Sequence, residues 1–118
     1  MMLYVDGFVA SVPDNKKAEF VRHAKSMAQV FKANGALRVV DNWGDDVPEG
    51  EVTSFPMAVE CESGETVVFS WIEWPSKAKR DAGMKAAMAD PAFQDGGMKM
   101  PFDGKRLIFG GFETVLDT

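Results

Sequence analysis

Glu65-Thr66-Val67-Val68-Phe69-Ser70-Trp71-Ile72-Glu73-Trp74 is the strongest strand signal in this chain, dense in β-branched and aromatic residues. Both alternating sets are apolar. Val67, Phe69 and Trp71 make one, and Val68, Ile72 and Trp74 the other. Such a strand needs cover on both faces. A second stretch completes the frame: Met100-Pro101-Phe102-Asp103-Gly104-Lys105-Arg106 holds a tight Asp-Gly turn and leads into a last strand expected over 106–115.

Outward from these, residues 3–12 read as a first strand ending at Pro13. A helix follows, with Asp14 or Asn15 as its cap. Phe20, Ala24, Met27, Ala28 and Phe31 recur at helical spacing, and Asn34-Gly35 stops the run. Residues 36–44 read as a second strand. Residues 45–64 are irregular, with Pro48, Gly50, Pro56 and Ser63-Gly64, and 52–62 is expected to form an extended arm or hairpin. Ser76 caps a second helix that runs to about Ala89, with Met84, Ala87 and Met88 as its buried stripe, and Asp90-Pro91 ends it. Residues 92–100 read as a loop or short turn of helix with Gly96-Gly97 as its flexible point.

The order is β-α-β-β-α-β, the ferredoxin-like α+β pattern, with an antiparallel strand order of 4-1-3-2 and one domain over 1–118. Two helices cover one face of such a sheet. A second copy of the chain, sheet against sheet about a two-fold axis, is the economical cover for the other, which predicts a homodimer.

Composition narrows the function classes. The 118 residues carry a net charge of −5 and are 46% hydrophobic, which excludes disorder and a general nucleic-acid binder. The basic group Lys77, Lys79, Arg80 and Lys85 is interrupted by Asp81 and reads as a solvated helix face. Cys61 is the single cysteine and lies between Glu60 and Glu62, which makes it a passive thiol with no intramolecular disulfide. Asp6 comes early and no basic leader precedes it, so no signal peptide is expected. No apolar run approaches the roughly 20 residues that span a bilayer. A cytoplasmic protein without membrane contact is the expectation. One histidine and one cysteine without paired spacing predict no metal site, and no cofactor is expected.

Asp6 and His23 are the candidate catalytic residues. Asp6 falls inside an apolar strand, where a carboxylate is costly unless paired. It is expected to approach the 71–73 region, with Arg38 entering from the second strand. It is then either a base of raised pKa or, as the better reading, half of a structural pair. His23 lies about 60° around the helix from Phe20, at the edge of the apolar stripe. It either faces a cavity between helix and sheet, where it can exchange protons near neutral pH, or is a plain boundary residue. Arg38, Trp43, Trp71, Glu73 and Arg106 are the candidate ligand-binding residues. The aromatic side chains supply core, interface or an apolar pocket, and Lys105 with Arg106 make either the best local anion anchor or, as the better reading, a solvated turn. Gly110-Gly111 lies in a strand without phosphate-loop context and implies a bulge or a close approach. Ser70 lacks the strand-turn-helix elbow of a hydrolase.

Tyr4-Val5-Asp6-Gly7-Phe8-Val9, Gly35-Ala36-Leu37, Asp45-Asp46-Val47-Pro48, Val52-Thr53-Ser54-Phe55-Pro56, Val67-Val68-Phe69-Ser70-Trp71-Ile72 and the 100–106 stretch resemble, in order and over nearly the whole chain, the YbaA-like family of bacterial domains of unknown function. The resemblance implies a dimeric α/β-barrel fold and no established catalytic residue. The wider superfamily holds cofactor-free monooxygenases, haem-degrading enzymes, muconolactone-type isomerases and plain ligand binders, and fold does not set function. Three readings follow. The first is a homodimer binding a small apolar or aromatic molecule between helices and sheet. The second is a cofactor-independent monooxygenase or isomerase. The third is a protein-interaction module built on the 45–64 arm, for which an exposed patch at Val52, Phe55 and Met57 would speak.

Overall fold

β1 (Tyr4–Pro13) and β3 (Glu65–Trp74) form the spine of the computed structural model, which describes residues 3–93 and 100–118. They pair antiparallel along their full length, from Tyr4 opposite Trp74 to Pro13 opposite Glu65. β2 (Arg38–Trp43) flanks β3 and β4 (Ile108–Glu113) flanks β1, so the sheet order is β2-β3-β1-β4, as expected. The Gly96-Gly97 pair lies outside the described residues.

The first long helix follows its apolar stripe, whereas the last buries Ala87 and Gly83 and leaves Met88, expected in its buried stripe, 46% exposed. α1 (Lys17–Ala33) buries Phe20, Met27 and Phe31. Asp14 does not cap it. A short 3-10 turn over Asp14–Lys16 comes first, and Asp14 instead ties to β3 by accepting from the Thr66 hydroxyl. The last long helix, at Lys77–Met88, is capped by Ser76, whose hydroxyl accepts from the Lys79 N–H at 3.1 Å. Its face and that of α1 enclose two apolar clusters against the sheet. Met27, Phe31, Ile72, Trp74 and Ala87 make one, and Ala10, Val12, Phe20 and Val68 the other.

The 52–62 segment corrects the arm or hairpin expectation. It forms a single helical turn, α2 (Phe55–Ala58), so the Lys77–Met88 helix is α3. The Ser54 hydroxyl accepts from the Met57 N–H at 3.1 Å. Pro56 sits in the first turn, where its missing N–H removes no helical bond. Capping chemistry therefore outweighs the β-branched residues nearby. The segment then lays Val59, fully buried, onto Val9 and Val67 on the sheet face opposite α1 and α3. The Ser11 hydroxyl donates to the Val59 carbonyl at 3.0 Å. The chain thus covers one end of that face itself. The rest shows Phe69, Ile108 and a 62% exposed Phe112.

Candidate functional site

A cavity of about 540 Å³ lies between the sheet and the α1/α3 layer. Small side chains create it, since Ala10 on β1 and Ala24 on α1 leave space that Phe8, Met27, Met84 and Phe102 border. The lining is overwhelmingly apolar. Its polar groups fall into two sets.

The first set is built on Asp6, which is only 4% exposed. The carboxylate accepts from Trp74 Nε1 at 2.9 Å, from Arg80 Nη2 at 2.8 Å, and from Arg80 Nε at 3.0 and 3.1 Å. Arg80 Nη1 donates to Asp81 at 3.0 Å. The bonds to Asp6 hold the Arg80 pKa above its already high ordinary value. The guanidinium also lies 5.1 Å from the centre of the Tyr4 ring. Gly111, opposite Asp6 in β4, makes this fit possible, because a Cβ there would collide with the Tyr4 hydroxyl and with Arg80 Nη2. The close approach expected at Gly110-Gly111 is therefore to these two side chains. Every strong acceptor direction of Asp6 is occupied, so the carboxylate serves as an anchor.

Arg38 is not its partner. Register puts Arg38 opposite Glu73, which is itself opposite Val5 and so faces the other side of the sheet from Asp6. Arg38 reaches Glu73 at 3.8 Å and is otherwise exposed. Arg80 escaped the sequence reading because the 77–85 charges look like a solvated face. Its spacing to Met84 and Ala87, i to i+4 and i+7, was the available signal.

The second set is His23, Ser70 and Asp41. His23 lines the cavity from α1 and meets the Phe102 ring edge-on, with centroids 6.2 Å apart. Its Nδ1 is enclosed and has no hydrogen-bond partner among the described residues. Ser70 is buried on β3, directly across from Asp41 on β2, and both border the cavity. Burial pushes the His23 pKa below its ordinary value of 6.5, and the carboxylates of Asp41 and Glu19 offset this only in part.

A pH dependence follows. The unfolded chain takes up the His23 proton near pH 6.5, and the folded chain does so only at lower pH. In that interval the unfolded state binds more protons, so stability falls as pH falls below 6.5. His23→Gln should remove this slope between pH 7 and 5.5, as measured by urea denaturation at each pH. Parallel curves for the two proteins would refute it. Glu65, Asp81 and Asp103 have pKa values lowered by bonds from Arg106, Arg80 and the Lys105 N–H respectively. Their contributions are present above the ordinary carboxylate range and are lost progressively as pH falls from that range through the lowered folded-state values.

The remaining candidates lie elsewhere. Trp43 faces a separate groove of about 280 Å³ beside α1, with the Lys17 ammonium 5.2 Å from its ring centre. Trp71 borders the cavity between Ser70 and Ile72. Its ring belongs to the opposite face, 5.6 Å from Phe69, and its indole N–H donates to Glu73 at 2.9 Å. Arg106 is no free anion anchor. It clamps Glu65 at 2.7 and 2.9 Å, and it also donates to Asp103 at 3.2 Å and to the Glu60 carbonyl at 2.9 Å. β4 runs from Ile108 to Glu113, shorter at both ends than the expected 106–115. Among the described residues no group of His, Cys, Asp and Glu is placed to hold a metal, and no helix is long and apolar enough to cross a membrane.

Comparisons with known proteins agree with this architecture. A family model described as "Protein of unknown function (DUF1428)" matches residues 3–104. The uncharacterized protein YbaA of Escherichia coli strain K12 is 54% identical over 116 residues, covering 98% of this chain and 99% of that one. The YbaA of Shigella flexneri matches to the same extent. Among solved structures, a crystal structure of a dimeric ferredoxin-like protein from an uncultured marine organism is similar with a TM-score of 0.61, at 11% identity and over 100% of both chains. Identity that low speaks for the fold alone, and the fold is ferredoxin-like.

Proposed function

We propose a function for a chain that belongs to the YbaA-like family of proteins of unknown function (DUF1428): as a homodimer, it holds one small apolar or aromatic molecule between its helices and its sheet. The cavity carries this reading. Its volume of about 540 Å³ falls within the roughly 300–1,000 Å³ typical of small-molecule sites, and such sites are mostly apolar with a few polar groups. Binding is favoured over catalysis because Asp6 is committed to Trp74 and Arg80, which leaves His23 without a second proton-transfer group beside it.

The homodimer draws support from the sheet face away from α1 and α3. Phe69, Ile108 and Phe112 are exposed there, and Phe55 extends the row with its ring 5.8 Å from Phe69. An apolar surface of this kind is a protein contact, and the similar solved protein is described as a dimer. The exposed Val52, Phe55 and Met57 that would serve an interaction module are read as the margin of this same contact.

Native mass spectrometry of the protein purified from its own host tests both parts. The expected result is a dimer with a small-molecule adduct that is lost on denaturation. Ala24→Phe, which fills the cavity, should keep the dimer and lose the adduct. A monomer would overturn the dimer, and an adduct that survives Ala24→Phe would overturn the assignment of the cavity.

A further inference from the structure

The chemistry of the cavity wall restricts what it can hold. This step rests on the cavity reading above and deepens it. We infer that the ligand is an uncharged ring compound bearing a hydrogen-bond acceptor, such as a carbonyl oxygen, which the Nε2–H of His23 receives.

Arg80 is the only arginine or lysine among the described residues that line the cavity, and its guanidinium is spent on Asp6 and Asp81. Asp41, an exposed residue at the cavity edge, adds a carboxylate with no ion pair among the described residues. A carboxylate or phosphate ligand would therefore meet repulsion and lose its hydration without a partner. A cationic ligand would have to compete with Arg80 for Asp6, which leaves only Asp41 at the cavity edge.

Hydrogen-bond direction comes next. His23 is held neutral by burial. Its Nδ1 is enclosed without a partner, and a buried N–H lacking an acceptor is rarer in proteins than a buried lone pair. A neutral ring with an enclosed, unpartnered Nδ1 is best accommodated with the lone pair on Nδ1 and the proton on Nε2, the nitrogen that is not enclosed. Ser70 can donate a second bond, since its hydroxyl has no protein partner among the described residues and lines the same space. The wall therefore presents donors to a neutral acceptor within an aromatic and aliphatic enclosure.

Three probes of nearly equal shape separate the outcomes: acetylnaphthalene, ethylnaphthalene and naphthoate, each measured by equilibrium dialysis against the full chain. Acetylnaphthalene should bind roughly tenfold tighter than ethylnaphthalene, the value of one well-made hydrogen bond, and naphthoate should bind most weakly. His23→Phe should close the gap between the first two. Equal binding of the two neutral probes, tightest binding of naphthoate, or a gap that persists in His23→Phe would overturn this inference and leave the cavity reading standing. Failure of all three to bind would overturn both. The wild-type comparison holds even if the variant does not fold.

Discussion

Arg80→Met should cost about 3–5 kcal/mol of stability in urea denaturation, the penalty of leaving one partner of a buried ion pair uncompensated. Asp6 is almost wholly enclosed and Arg80 exposes only 23% of its side chain, so water replaces the lost bonds incompletely. The methionine stem would fill part of the space, and packing loss is therefore the smaller component. The diagnostic comparison is the double variant Asp6→Asn/Arg80→Met. An asparagine carbonyl oxygen can still accept from Trp74 Nε1 while carrying no charge that needs a partner. The double variant should therefore be more stable than Arg80→Met alone, although it carries one more substitution. If the two substitutions simply added, the pair would contribute through independent contacts and not as a unit.

The strands of the fold were legible from residue pattern. The two apolar parities of β3 and the helical stripe of α1 lead directly to the observed layers, because both reflect burial that no local feature contradicts. The site was legible only in outline. Asp6 stood out as a carboxylate inside a strand, yet its partner was misplaced, because strand order locates Arg38 near β3 without saying which face it points to. The true partner comes from α3, and only helix docking brings it within 2.8 Å. Trp43 and Arg106 were misread for a related reason. A tryptophan or arginine in sequence shows no preference between a cavity and the neighbouring surface, and the choice is made by Lys17 in one case and Glu65 in the other. The 45–64 segment was hidden by a conflict between β-branched residues and the cap at Ser54, which the cap won.

Docking of α3 is also what makes the second large effect. Gly83→Ala sits within a helix, where the change ordinarily gains up to about 1 kcal/mol from backbone entropy. Here it should destabilise. A Cβ on Gly83 would collide with the Asn34 carbonyl oxygen and with the Trp74 ring, whose Cη2 would lie 2.9 Å away. Neither neighbour can yield easily. Asn34 is fixed at the end of α1 by its own side chain, which donates to the Val30 carbonyl at 2.8 Å. Trp74 is fully buried and held by Asp6. Overpacking a closed site costs typically 1–3 kcal/mol and at times more. With both neighbours fixed, the upper end applies, and a net loss of about 2 kcal/mol is expected after the helix-propensity gain. Moving Trp74 would also loosen the Asp6 and Arg80 pair, so Gly83→Ala and Arg80→Met together should lose less than the sum of their separate losses. Urea denaturation of the four proteins in that cycle decides it. An alanine that stabilises the chain would mean that α3 can shift away from α1 at little cost, and that the Asp6 anchor does not depend on a fixed seat for Trp74.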